Sequence, residues 1–99
     1  MVIYVDIDNT IFNTNGRDYE NSTPIVENIE KINQLYDNGH TIIYWTARGR
    51  KSGKNYFMLT LSQLVDNKCK FHSLDTTSKP SYDYIIDDKA IKFDEISKI

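Results

Sequence analysis

The chain has one cysteine, one tryptophan, two prolines and four glycines in 99 residues. A lone cysteine, Cys69, leaves no intrachain disulfide framework and fits a reducing compartment. With so little proline and glycine there is no linker, low-complexity tract or repeat to divide the sequence, which reads as one domain over residues 1–99. That length is near the lower limit for an α/β sheet and leaves no room for a lid domain. An excess of charge is missing too: twelve Lys and Arg stand against fourteen Asp and Glu, a formal net charge of -2. Coating nucleic acid means neutralising many phosphates, so that class is disfavoured and only a local basic patch is left open. No apolar run is long enough to span a bilayer and no basic-then-apolar leader opens the chain. The expectation is a soluble, cytoplasmic protein with no membrane partner.

What the sequence does have is an unusual beginning. The run Val2-Ile3-Tyr4-Val5-Asp6-Ile7-Asp8-Asn9-Thr10 is a short, β-branched, apolar strand that delivers two carboxylates, one residue apart, into a loop. Side chains two apart on an extended segment point the same way, so Asp6 and Asp8 can address one site. Alone, an acid-rich turn after an edge strand is common. If the strand is central and parallel, its carboxyl end is where open α/β sheets place their ligands.

The rest of the chain supports a parallel sheet. Residues 11–22 are polar and contain Asn15-Gly16, a two-residue hairpin signal, which predicts a small flap beside the acid loop. Thr23-Pro24 predicts an N-cap and first helical position, and Ile25, Ile29, Ile32, Leu35 and Tyr36 recur at helical spacing until Gly39. Thr41 to Trp45 is a second strand. A second helix is expected from Asn55 to Asp66, with Phe57, Leu61, Leu64 and Val65 inward. Lys70 to Ser73 is a third, weaker strand and Tyr82 to Ile86 a fourth, ending in Asp87-Asp88, with a short helix from Ala90. Alternation of strands and helices implies crossover connections. Asp6, Thr46 and Asp87 then all follow the carboxyl ends of strands. Trp45, Tyr4 and Tyr44 read as core, and His40 and His72 as turn or edge residues.

Acids converging at one sheet edge repel: two unit charges about 4 Å apart cost roughly 4 kcal/mol at an effective dielectric near 20. A divalent cation removes that penalty, and oxygen-only donors favour Mg²⁺ over zinc. In order along the chain, Asp6-x-Asp8-x-Thr10, Thr46 in TIIYWTARG, Lys79 in SKP and Asp87-Asp88 in YIIDDKA resemble the four motifs of the haloacid dehalogenase (HAD) superfamily of phosphotransferases. The match spans residues 2–90. It implies a minimal Rossmann-like α/β fold of HAD type, a parallel sheet flanked by helices, with a small flap and no cap domain.

The resemblance implies roles as well. Asp6 is the nucleophile that forms an aspartyl-phosphate, and Asp8 protonates the leaving alcohol and then deprotonates the hydrolytic water. Thr46 and the Ala47 amide bind the transferring phosphoryl, and Lys79 neutralises it. Mg²⁺ is held by the Asp6 carboxylate, the Asp8 main-chain carbonyl and Asp87, with Asp88 orienting water or Lys79. Two features depart from the pattern: the fourth motif is the compact Asp-Asp form, and Ser78 precedes Lys79 where relatives often carry glycine.

Arg48, Arg50, Lys51 and Lys54 form the densest basic cluster, at the expected mouth of the cleft. Solvated surface is the ordinary role of such a cluster; Arg48 is its best candidate for gripping substrate phosphate or sugar hydroxyls. The function expected is phosphomonoester hydrolysis on a small phosphorylated sugar or related metabolite, with homo-oligomer formation in keeping with an open cleft. Two alternatives stand beside it. One is a nucleotide or nucleic-acid 3'-end phosphatase, supported by the basic stretch. The other is a non-catalytic phospho-accepting module, disfavoured because in such receivers the phosphorylated aspartate follows the third strand.

Overall fold

The computed structural model describes residues 1–76 and 84–86. Along the chain these form β1 (Val2–Asp6), β2 (Phe12–Asn13), β3 (Thr23–Pro24), α1 (Val26–Asp37), β4 (Thr41–Trp45), α2 (Phe57–Asp66), β5 (Ser73–Asp75) and β6 (Tyr84–Ile86). Four strands make one sheet in the order β5-β4-β1-β6, every pair parallel. The expected parallel α/β architecture is present.

The strand order explains why the first strand matters. From β1 the chain moves outward to β4 and β5, then returns to the far side of β1 to place β6. The order therefore reverses at β1, and the crevice beyond the carboxyl ends at such a reversal is where open α/β sheets bind ligands. Asp6 closes β1 at that point.

Register holds the central pair rigidly. Ile3 lies opposite Ile42 and Val5 opposite Tyr44, and all four are fully buried in one cluster with Ile29, Ile32 and Leu35 of α1 and Leu64 of α2. The α1 residues lie three apart, so they form a single stripe on the helix. Each such burial stabilises by about 1.5–3 kcal/mol. Past Asn38, Gly39 adopts φ +96°; its N–H donates to the Tyr36 carbonyl (3.0 Å) and that of His40 to Leu35 (3.2 Å). This Schellman arrangement ends α1 where the sequence placed its stop.

Several local expectations are corrected. Thr23-Pro24 does not cap α1: it pairs as β3 with Asn13 and Phe12, and the helix starts at Val26. The Ile25 N–H donates to the Ile11 carbonyl (2.8 Å), which commits this backbone to the flap ladder; proline has no N–H to lose there. Asn15-Gly16 opens a turn, with Gly16 at φ +58° and the Asp18 N–H on the Asn15 carbonyl (3.0 Å). The flap's arms meet farther out, leaving a longer loop with a 3-10 turn at Tyr19–Asn21. In α2 the inward residues are Thr60 and Leu64, while Phe57 and Val65 are 38% and 60% exposed. The third strand runs Ser73–Asp75; the His72 N–H still reaches the Ile42 carbonyl of β4 (2.8 Å), but that of Lys70 turns aside to the Asn33 side chain (2.8 Å). The fourth strand is present at Tyr84–Ile86, and Tyr82 and Asp83 lie outside the described residues. Trp45 is half-buried, whereas Tyr4 and Tyr44 are core. The helix expected from Ala90 lies outside the described residues. Among the described residues no helix is long and apolar enough to cross a membrane.

Candidate functional site

Buried polar side chains are more informative than exposed apolar ones. Among the described residues they are Thr10, Thr14, Thr46, Arg48 and Thr60. Thr10 follows β1, Thr14 follows β2 in the flap, Thr46 and Arg48 follow β4 and Thr60 lies on the inner face of α2, so burial of polar groups concentrates at the carboxyl end of the sheet.

The acid loop is tightly turned. The Ile7 carbonyl accepts N–H bonds from Thr10, Ile11 and Phe12 (3.0–3.2 Å), and Asn9 sits at φ +61°, a left-handed conformation that asparagine tolerates better than most residues. Ile7 is fully buried, which anchors the loop between the two acids. Asp6 Oδ1 accepts the Ile7 N–H (2.9 Å). Asp6 and Asp8 line one cleft of about 780 Å³ together with Ala47 and Arg48 from the end of β4.

Arg48 is not where its sequence neighbours suggested. Its side chain has no exposure while that of Asp8 keeps 24%, and all three guanidinium nitrogens are engaged. Nη2 donates to Asp8 Oδ1 (2.7 Å) and Nε to Asp8 Oδ2 (3.0 Å). Nη1 donates to Gln63 Oε1 (2.6 Å) and Thr60 Oγ1 (3.2 Å). The guanidinium also lies over the Tyr19 ring, 4.8 Å from its centroid. The flap joins the same network, since the Thr14 hydroxyl donates to Asp8 Oδ1 (2.6 Å) and meets Ser22 Oγ at 2.8 Å. Gln63 Nε2 donates to the Tyr19 carbonyl (2.7 Å). A buried charge needs such complete pairing. The inward turn of Thr60 and Gln63 follows from it: the face of α2 that meets Arg48 must offer oxygen.

Thr46 is 2% exposed; its N–H donates to the Asp75 carbonyl (3.1 Å) and its hydroxyl oxygen accepts the Arg48 N–H (3.0 Å). It lines an adjoining hollow of about 470 Å³ that shares Arg48, Gly49 and Tyr56 with the main cleft. The expected set is thus brought together in part: Asp6, Asp8, Ala47 and Arg48 share a cleft and Thr46 borders it. Lys79, Asp87 and Asp88 lie outside the described residues. Thr14, Ser22, Tyr19, Thr60 and Gln63 were missed. The sequence carries no local signal for them beyond polar residues inside a flap and a threonine at a helix position otherwise read as apolar.

Beyond Ala47 the chain folds into a compact loop. The Gly53 N–H donates to the Gly49 carbonyl (2.8 Å) and that of Arg50 to Ala47 (3.1 Å). Gly49 adopts φ +86°, and a Cβ there would stand 2.0 Å from the Lys54 carbonyl oxygen. Only glycine fits. Elsewhere, burial pushes the Cys69 thiol up from 9.0 to about 11, and burial raises the pKa of Tyr44 as well. A nucleophilic thiol needs the opposite shift, so Cys69 reads as packing.

The donors at the cleft are oxygens, which suit a hard cation such as Mg²⁺. Asp6 can supply a carboxylate, whereas the Asp8 carboxylate is already neutralised by Arg48, in keeping with metal ligation through the Asp8 main chain. Among the described residues there is no group of three or more His, Cys, Asp or Glu that could hold a metal ion; the third expected ligand, Asp87, is outside them.

No protein-family model matches the chain, and no curated protein matches it. A crystal structure of a structural-genomics target protein from Vibrio cholerae is similar, with a TM-score of 0.75 and 21% identity, covering 99% of this chain and 88% of that chain. At that identity the likeness shows a shared fold.

Proposed function

We propose that this protein is a Mg²⁺-dependent phosphomonoesterase of the HAD type, without a cap, working through an aspartyl-phosphate on Asp6. The observation that carries the reading is the position of Asp6, at the carboxyl end of the strand where the sheet order reverses, sharing a cleft with Asp8. In the first half-reaction an Asp6 carboxylate oxygen attacks phosphorus, the bond to the ester oxygen breaks, and Asp8 delivers a proton to that oxygen. In the second, water attacks the phosphoryl group, Asp8 takes its proton, and the bond to Asp6 breaks to release phosphate. Asp6 and the Asp8 main-chain carbonyl, with Asp87, would hold Mg²⁺, which supplies charge neutralisation for the transferring phosphoryl.

Arg48 enters this scheme as a positioning residue. Its two-point contact, reinforced by Thr14, holds both Asp8 oxygens as acceptors and sets the resting position of the carboxylate; to carry a proton, Asp8 must turn off this contact toward the ester oxygen. The Thr46 hydroxyl, with its oxygen occupied by the Arg48 N–H, keeps its own proton to donate toward a phosphoryl group.

The test is phosphate release from sugar phosphates, nucleotides and 3'-phosphorylated oligonucleotides, with Mg²⁺ or EDTA, for the native protein and Asp6→Asn. Metal-dependent turnover lost in the variant is the expected outcome. A preference for oligonucleotide ends would select the nucleic-acid version, which the exposed basic residues around the cleft favour. Phosphorylation of Asp6 without turnover would select a phospho-accepting module.

A further inference from the structure

The lining of the cleft carries more positive charge than one phosphoryl group needs. Arg17 from the flap and Arg50, Lys51 and Lys54 from the loop after β4 all line it, and all four are exposed. Among the described residues none of the four forms an ion pair with a carboxylate: the ion pairs there are Arg48 with Asp8 and Lys70 with Asp37. The acids described in the cleft are Asp6 and Asp8, and Asp8 is already matched by Arg48. Among the described residues the cleft lining is therefore net positive, in a chain whose net charge is -2.

These cations are not loosely presented. The loop that bears three of them is closed by the Gly53-to-Gly49 and Arg50-to-Ala47 bonds, with no space for a side chain at Gly49. Arg50 is further fixed over the Trp45 ring, 5.3 Å from its centroid. Like charges held close together repel, and the repulsion is relieved when an anion enters. At about 780 Å³ the cleft also has room for far more than a phosphate.

We propose that the substrate is a small phosphomonoester bearing a second anionic group, a further phosphate or a carboxylate, which docks on Arg50, Lys51 and Lys54 while the reacting phosphoryl lies at Asp6. This rests on the phosphatase reading for the location of the reacting group. Charge-assisted hydrogen bonds to a distal anion are strong enough to raise affinity about 10- to 100-fold over an otherwise matched monoanion.

The test separates the two claims. Calorimetric titration of the full chain, with Mg²⁺, compares a hexose bisphosphate with the hexose monophosphate, and phosphoglycerate with glycerol phosphate, so that each pair differs in one anionic group. The Asp6→Asn variant serves where the native protein consumes the ligand. Tighter binding of the doubly anionic member, weakened by salt and abolished in an Arg50→Met, Lys51→Met, Lys54→Met variant with an unchanged melting curve, is the expected result. The phosphate and carboxylate pairs show which distal group is read. Equal affinities within both pairs, or a preference that survives the triple substitution, would overturn the proposal even if phosphate is released. Much tighter binding of a 3'-phosphorylated oligonucleotide than of the bisphosphate would overturn the small-molecule assignment. Absence of turnover with the binding preference intact would overturn the phosphatase reading and leave the anion site standing.

Discussion

Arg48 and Arg50 stand two residues apart in one loop and meet opposite fates. Arg48 is buried, with every guanidinium nitrogen bound to protein oxygen; Arg50 is exposed and lies on the face of Trp45. The two walls of the cleft differ in the same way. On the acid wall, charge is matched inside the protein and side-chain positions are fixed by β1, the flap and α2. On the basic wall, Arg17, Arg50, Lys51 and Lys54 form no ion pair among the described residues. A site that must both anchor its acids and recognise a soluble anion gains from this division, because paired groups hold the resting geometry and exposed cations provide the attraction.

Substitutions that sever one wall from the other give the sharpest tests. Asp6→Asn removes the proposed nucleophile while keeping shape, and turnover should fall on the order of 10⁴-fold or more with the melting temperature little changed; phosphate-release kinetics and thermal melts check both halves. Arg48→Met strikes the matched wall, leaving Asp8, Gln63 and Thr60 without their partner. It should cost about 3–5 kcal/mol, and so lower the melting temperature by roughly 12 °C or more for a domain of this size. Arg48→Lys should recover part of that stability but not the two-point contact. If Arg48→Met melts like the native protein, the contrast between the two arginines fails.

Gly49→Ala strains the junction between the walls. With φ +86° and the Lys54 carbonyl in the way, the loop must shift, at a cost of about 1–3 kcal/mol, and KM should rise more than kcat falls because the basic residues move. The smallest effect expected is a control at the end of α2. Because folding raises the Cys69 pKa from 9.0 to about 11, the thiol's contribution to stability is fully present below about pH 9. It is lost as pH rises through about 11. Cys69→Ala should flatten that alkaline decline in denaturant midpoints without touching turnover at neutral pH.

Those contrasts also mark where sequence reasoning stopped. Strands β1 and β4 and helix α1 were legible because apolar residues at a regular period, with a glycine stop, leave few alternatives. The pairing of Asp6 with Asp8 was legible from the two-residue period of a strand. Arg48 was not, since a local run of basic residues looks like solvated surface until the oxygens of Asp8, Thr60 and Gln63 arrive from 40, 12 and 15 residues away. The face of α2 was misread for the same reason: Thr60 and Gln63 turn inward to meet that buried charge, and Phe57 and Val65 are displaced outward. Thr23-Pro24 carried a genuine helix-start signal, overridden when the flap needed a second strand.

The central claim is that Asp6 becomes phosphorylated during turnover. The most direct measurement is borohydride reduction of the protein quenched while it hydrolyses its best phosphomonoester, followed by peptide mass spectrometry. The account predicts conversion of Asp6 to homoserine, dependent on both substrate and Mg²⁺ and absent in Asp6→Asn; turnover with Asp6 unmodified and another residue reduced would contradict it.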